Sequence, residues 1–221
     1  MIRLTLASQS PRRRQLIQLL GYPVDICVAD VDESSVMQPD PALNAVETAV
    51  LNATHIATHH PEQAMIIAAD TIVALGGRML GKPRDAAEAT QMLTDLRDRQ
   101  HEVHTGLVVW DGRSGQMTTR VTTAVVTMRP YTDVEIADYV ASGDPMDKAG
   151  AYAIQHPVFQ PVADLRGCYT AVVGLSICEL LRVLGALGLP RLADLTAVET
   201  AHAMFPCPIF PGLLDYSSEA C

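Results

Sequence analysis

Aromatic side chains are scarce in this 221-residue chain, which has one Trp, three Phe and six Tyr. Its core must therefore be mostly aliphatic, and with 48% hydrophobic residues a substantial core can form. Long apolar runs are lacking too. No stretch supplies the roughly 20 apolar residues that a membrane-spanning helix needs, so no membrane association is expected. Met1 to Ala7 runs into polar sequence too early for a secretory signal, and the expected location is the cytoplasm. Positive charge is in deficit: 16 Lys and Arg stand against 25 Asp and Glu, a net charge of −9. That excludes the broad basic face that a nucleic-acid polymer requires. Cys27, Cys168, Cys178, Cys207 and Cys221 form no CxxC pair and none stands at zinc-site spacing from a histidine. They fit free thiols in a reducing compartment better than a disulfide framework. His59-His60 reads as a solvated pair rather than a ligand set.

Internal repeats and low-complexity linkers are also missing, so the pattern of elements runs unbroken. Arg3 to Ala7 alternates as a strand. Ser10-Pro11 opens a helix that carries Leu16, Leu19 and Leu20 and stops at Gly21. Val24 to Val28 is a second strand, and Asp40-Pro41 starts a second helix. Met65 to Ala69 is a buried strand ending at Asp70. Gly76-Gly77 marks a hairpin turn, closed by Gly81-Lys82-Pro83. Asp85 and Glu88 begin another helix. Val103 to Trp110 and Thr118 to Thr127 read as long antiparallel strands. Helices capped by Thr132 with Glu135, and by Ser176 with Glu179, follow. This alternation predicts an α/β fold, a mixed twisted sheet with flanking helices. Residues 1–190 form the expected domain, and residues 191–221 an extension that starts as a helix and becomes irregular around Phe205-Pro206-Cys207-Pro208.

The basic residues that exist are concentrated. Ser8-Gln9-Ser10-Pro11-Arg12-Arg13 joins a strand end to a helix N-terminus, where free N–H groups favour an anion. Arginines in a first turn oppose the helix dipole, a conflict that an anionic ligand resolves; the alternative is a capped helix with solvated arginines. Asp70, at the end of a buried strand, suits a general base or a ligand of a divalent cation, or else a cap for nearby backbone. Lys82, between Gly81 and Pro83, is either a point cation for phosphate or an ordinary surface lysine. Asp32-Glu33 follows the second strand. If that strand lies beside the one ending at Asp70, Glu33 and Asp70 can share a Mg²⁺; otherwise the two acids mark a solvated loop. Asp147 to Tyr152 mixes charges, small residues and an aromatic, and can approach a ligand through its backbone.

Taken in order, Leu6 to Arg13, Asp32-Glu33, Ala69-Asp70-Thr71, Gly81-Lys82-Pro83, His101 to Gly106, Asp147 to Gln155 and Val172 to Leu175 resemble the Maf family of septum-formation-inhibitor-like nucleotide pyrophosphatases. The resemblance spans residue 3 to about 187. It implies two lobes around a central cleft, as in inosine-triphosphatase-like folds, usually in a homodimer. It implies hydrolysis of a nucleoside triphosphate substrate to monophosphate and pyrophosphate with a divalent cation, Mg²⁺ or Mn²⁺. On that pattern Asp70 is the general base, and Glu33 with Asp70 holds the metal. Ser8, Arg13, Lys82 and Lys148 contact phosphates, with Lys82 grouped among the catalytic residues. Arg12, Thr71 and Gln155 match positions that set base specificity. Ala149 to Gln155 is similar to the branch acting on dTTP and UTP, and the Gln155 amide can pair with a pyrimidine edge.

The chain departs from the family at three points. Asn52-Ala53 replaces a Lys-Ala pair in the second helix. His156 replaces a glycine and precedes an unusual loop, Pro157 to Pro161. Ser176 replaces a proline and is expected to cap the helix after it. Two other readings follow from these changes: a nucleotide-binding regulator of cell division with weak or no catalysis, and a pyrophosphatase for a purine or modified nucleotide.

Overall fold

A computed structural model describes residues 2–203 and 205–214. Seven strands form one mixed sheet in the order β2-β1-β3-β5-β6-β7, with β4 paired to β3 beyond this path. The strands are β1 (Leu4–Ala7), β2 (Val24–Cys27), β3 (Met65–Leu75), β4 (Arg78–Leu80), β5 (Gln100–Asp111), β6 (Gln116–Met128) and β7 (Val162–Arg166). The α-helices are α1 (Pro11–Ile17), α2 (Pro41–His59), α3 (Ala86–Leu96), α4 (Asp133–Ala141), α5 (Tyr169–Val173), α6 (Ile177–Ala186), α7 (Leu195–Thr200) and α8 (Pro211–Leu214). Strand β1 runs parallel to β2 and β3, and all the other pairings are antiparallel.

Three long strands carry the architecture. Met65, Ile67 and Ala69 of β3 face the aliphatic core that also holds Leu4, Leu6, Ile17, Leu180 and Leu184. Ile66 and Ala68 face the opposite side of the sheet, under Ala49, Ala53 and Ile56 of α2. Past Asp70 the same strand enters a second core, where Val73 joins Leu93, Val103, Val126 and Tyr131. Strand β5 passes through the same change of environment, and β6 runs from Met117, packed beside α2, to Ala124, Val126 and Met128 in the second core. The fold therefore has two hydrophobic lobes sharing one sheet, and Asp70-Thr71 sits on the seam.

Two expectations need correction, one open condition is decided, and one element is added. The strand beginning at Met65 does not end at Asp70: it continues to Leu75, because Asp70 keeps its ladder pairing with Gly106 while its side chain breaks only the apolar run. Strand β2 does not lie beside β3, since β1 intervenes; the crossover through α2 brings the chain back to the far side of β1. Ser176 occupies the N-cap position of α6 but makes no capping bond. Its hydroxyl is directed instead to Cys168 Sγ at 3.7 Å. Strand β7 is an added element, hidden in the sequence because only Leu165 of its five residues is buried. Elsewhere the local signals agree with the structure. Ser10 accepts from the Arg13 N–H with Pro11 in the first helical turn, Gly21 ends that segment at φ 73°, and Thr132 with Glu135 makes a reciprocal capping box.

The close approach of α2 to the sheet depends on Gly106. A Cβ there would lie 2.3 Å from the Ala45 carbonyl oxygen and 2.4 Å from its carbon, both backbone atoms that no rotamer change can move. Gly106 pairs directly with Asp70, so the contact also fixes the floor beneath the seam. Gly106→Ala is expected to destabilise the protein by about 1–3 kcal/mol or more through overpacking. Thermal unfolding of the variant checks this; an unchanged Tm would mean that α2 shifts freely over β5.

Candidate active site

A cleft of about 480 Å³ opens between the lobes. Ser8, Arg12, Arg13, Glu33, Asp70, Thr71, Lys82, Lys148 and Gln155 all line it, so every site residue expected from the sequence faces one space. The topology explains the convergence. Strand β1 pairs in parallel with the first residues of β3, Leu6 opposite Ile67, so the chain beyond Ala7 runs on toward Asp70 and delivers Ser8 and α1 to the seam. Gly150 N–H donates to the Gly81 carbonyl at 3.1 Å, tying the Lys82 loop to the 148–151 segment.

Arg13 is the hub. Its Nε donates to the Gly174 carbonyl at 2.8 Å, and its terminal nitrogens reach Ser8 Oγ at 3.5 Å and Thr71 Oγ1 at 3.4 Å. One of them lies 3.6 Å from Asp70 Oδ1. Burial lowers the Arg13 pKa although Asp70 and Glu33 act to raise it. Burial likewise raises the Asp70 carboxyl above its usual range; Arg13 pulls it down and Glu33 pushes it up. Asp70 and Glu33 are thus close enough to repel across the cleft, which happens without adjacent strands: the segment after β2 carries Glu33 over the end of β1.

The other cations differ in how they are held. Arg12 pairs with Asp147 at 3.1 Å. The Lys148 ammonium is bound by Asp147 at 2.6 Å and by the Asp144 carboxylate at 3.1 Å, and it also donates to the Asp144 carbonyl. Asp147 is therefore shared by two cations that an anionic ligand could draw away. Lys82 is exposed at the rim.

Asn52 and Tyr152 also line the cleft. The Asn52 amide donates to Glu33 Oε1 at 2.9 Å and to the Thr48 carbonyl at 3.0 Å, so the residue that departs from the family holds a carboxylate in place. Its polar position on the buried face of α2 was the available signal. His156 does not reach the cleft wall, which extends to Gln155. Its Nδ1 accepts from the Phe159 N–H at 2.9 Å, and its ring meets Tyr139 edge-on. The unusual loop packs on Tyr139 and Arg129 and does not line the cleft.

A second cluster escaped the sequence reading. Cys168, Cys178, His202 and Cys207 converge on the far side of the large core, all buried. Their sequence separation masks it; the short His202 to Cys207 interval was the sole clue.

The chain is thus a two-lobed α/β protein whose cleft gathers cations around a half-buried carboxylate. The family profile described as Maf-like protein matches residues 3–187, and the chain belongs to that family. It is 41% identical over 191 residues to a dTTP/UTP pyrophosphatase of Syntrophotalea carbinolica, covering 86% of each chain. It is 44% identical over 189 residues to a dTTP/UTP pyrophosphatase of Geobacter sulfurreducens, covering 84% of this chain and 98% of the relative. A dTTP/UTP pyrophosphatase of Thermomicrobium roseum is 44% identical over 188 residues, with 85% of each chain covered.

Tyr152 owes its placement to His101, whose Nε2 lies 2.8 Å from the phenol oxygen. Burial depresses the His101 pKa from 6.5 to about 4. Below pH 6.5 the unfolded chain takes up a proton there that the folded chain refuses, so folding stability falls as the pH drops from 6.5 to 4. The full shift corresponds to roughly 3 kcal/mol. Denaturation between pH 7 and pH 4.5 should show a shallower loss in His101→Phe than in the native protein; equal slopes would assign the loss to other groups.

Proposed function

We propose that this protein hydrolyses nucleoside triphosphates between the α- and β-phosphates, with dTTP and UTP as preferred substrates. The carrying observation is the arrangement of Arg12, Arg13, Lys82 and Lys148 around Asp70 in one cleft. The relatives named dTTP/UTP pyrophosphatase, aligned over more than four fifths of the chain, support the substrate.

The donor set fits a hard divalent cation such as Mg²⁺ or Mn²⁺. Asp70 and Glu33 offer carboxylate oxygens, and both burial and Glu33 oppose ionisation of Asp70, a cost that a dication offsets. Bound there, such an ion would neutralise phosphate charge. The remaining roles belong to side chains. Asp70 accepts a proton from the attacking water. Arg13 fixes that carboxylate and, with Ser8, meets phosphate oxygens through charge-assisted hydrogen bonds. Lys82 and Lys148 add point charges along the triphosphate. Arg12, Thr71 and the Gln155 amide read the base. We further read residues 191–221 as an extension to a 1–190 catalytic unit, and the working form as a cytoplasmic homodimer.

The expected products are nucleoside monophosphate and pyrophosphate in equal amounts, with pyrimidine triphosphates turned over faster than ATP and GTP. A coupled pyrophosphate assay over the common nucleotides checks both, and release of single phosphate with accumulating diphosphate overturns the assignment. Gln155→Ala should narrow the preference between bases. Asp70→Asn should lower turnover by about 10²–10⁴, while a non-hydrolysable analogue still binds in calorimetric titration. Near-native turnover in that variant would remove Asp70 from the mechanism.

A further inference from the structure

The cluster noted above lies outside the cleft lining. Cys168 stands at the N-cap of α5 and Cys178 in the first turn of α6. His202 follows α7, and Cys207 precedes α8. Two ligand-type residues thus come from the body of the fold and two from the segment beyond Arg191. Cys168 and Cys178 are completely inaccessible, and His202 and Cys207 are 3% and 7% exposed.

We propose that Cys168, Cys178, His202 and Cys207 form a structural Zn²⁺ site that fastens the C-terminal segment to the catalytic body. The spacing of the four atoms carries the argument. One ligand atom from each residue lies within 4.8 Å of all the others. A tetrahedral zinc ion with Zn–S of about 2.3 Å and Zn–N of about 2.0–2.1 Å sets S···S edges near 3.8 Å and S···N edges near 3.5 Å. The observed Cys178 Sγ to Cys207 Sγ distance is 3.8 Å. His202 Nε2 stands 3.5 Å from Cys178 Sγ and 3.6 Å from Cys168 Sγ. A disulfide instead requires sulfurs about 2.05 Å apart and leaves the imidazole and the third sulfur without a purpose.

The surroundings have the form expected of an outer ligand shell. His202 Nδ1 lies 2.8 Å from the Val198 carbonyl, which takes its proton and leaves the Nε2 lone pair aimed at the sulfurs. Thr170 Oγ1 is 3.2 Å from Cys168 Sγ, and the Ser176 hydroxyl donates to the same sulfur at 3.7 Å. These hydroxyls offset the negative charge that three thiolates bring to a single dication. Val198, Phe210 and Leu213 seat the segment in the large core around the cluster. Cysteine sulfur and imidazole suit zinc, whereas the carboxylates of the cleft suit Mg²⁺ or Mn²⁺, so the two sites select different ions.

The test is metal analysis of the full-length protein purified under reducing conditions without added zinc. Mass spectrometry of the metal should find about one zinc per chain, retained through gel filtration. Cys178→Ser and Cys207→Ser should each lose most of it, while Cys27→Ser, outside the cluster, should retain it. Replacement with Co²⁺ should give the visible absorption of a tetrahedral cobalt–thiolate centre, a readout that needs no variant. Stripping the zinc should lower Tm and expose the 191–214 segment to protease. Native protein that carries less than about a tenth of a zinc per chain and takes up none on reconstitution would overturn the proposal. So would a Cys178–Cys207 disulfide in freshly isolated protein, or zinc content unaffected by both serine variants.

Discussion

The Arg13 guanidinium holds the functional end of the molecule together. It reaches the loop after β1, the middle of β3 and the turn at Gly174 from one buried position. Neither it nor Asp70 is comfortable: burial works against the charge of both, and their mutual attraction only partly compensates. A buried pair of this kind is weak evidence for stability. Its value lies in geometry, since a fork of fixed donors sets three chain segments at defined distances. The segments it joins are those that bring Ser8, Asp70 and Thr71 to the same cleft.

Charge economy explains the rest of the cleft. The protein is acidic overall, yet four cations, Arg12, Arg13, Lys82 and Lys148, line the cleft, and acids hold two of them: Arg12 and Lys148 share Asp147. The arrangement keeps both long side chains ordered, Arg12 by Asp147 alone and Lys148 by Asp147 and Asp144 together. On the carboxylate side, Asn52 orients Glu33 through a neutral amide, where a lysine would have paired with it. The substitution exchanges a positive charge for a hydrogen bond of fixed direction.

Local chemistry was largely legible from the sequence. Ser10-Pro11, Asp40-Pro41, Gly76-Gly77 and Thr132 with Glu135 act through contacts within a few residues, and the chain obeys them. The ordered motifs also identified the residues that meet in the cleft. What depends on distant pairing was not legible. A polar residue inside β3 reads as a terminus unless its partner Gly106 is known. Likewise the neighbour of β2 is set by a crossover direction, not by its own residues. The cysteine–histidine cluster is the extreme case, because its four members are spread over about forty residues, from Cys168 to Cys207, and meet only through tertiary packing.

The continuity of β3, β5 and β6 across both hydrophobic lobes has a mechanical consequence. Hinged domain closure needs a few residues that absorb large changes in backbone angle. Here the two halves are joined by three hydrogen-bonded strands in register, with β3 paired to β5 over ten residue positions from Met65 to Ala74. Bending at the seam would break that ladder. The two halves are thus joined at the seam without a flexible linker, and the 28–36 connection and the 147–155 turn are the parts of the cleft lining that lie outside this ladder.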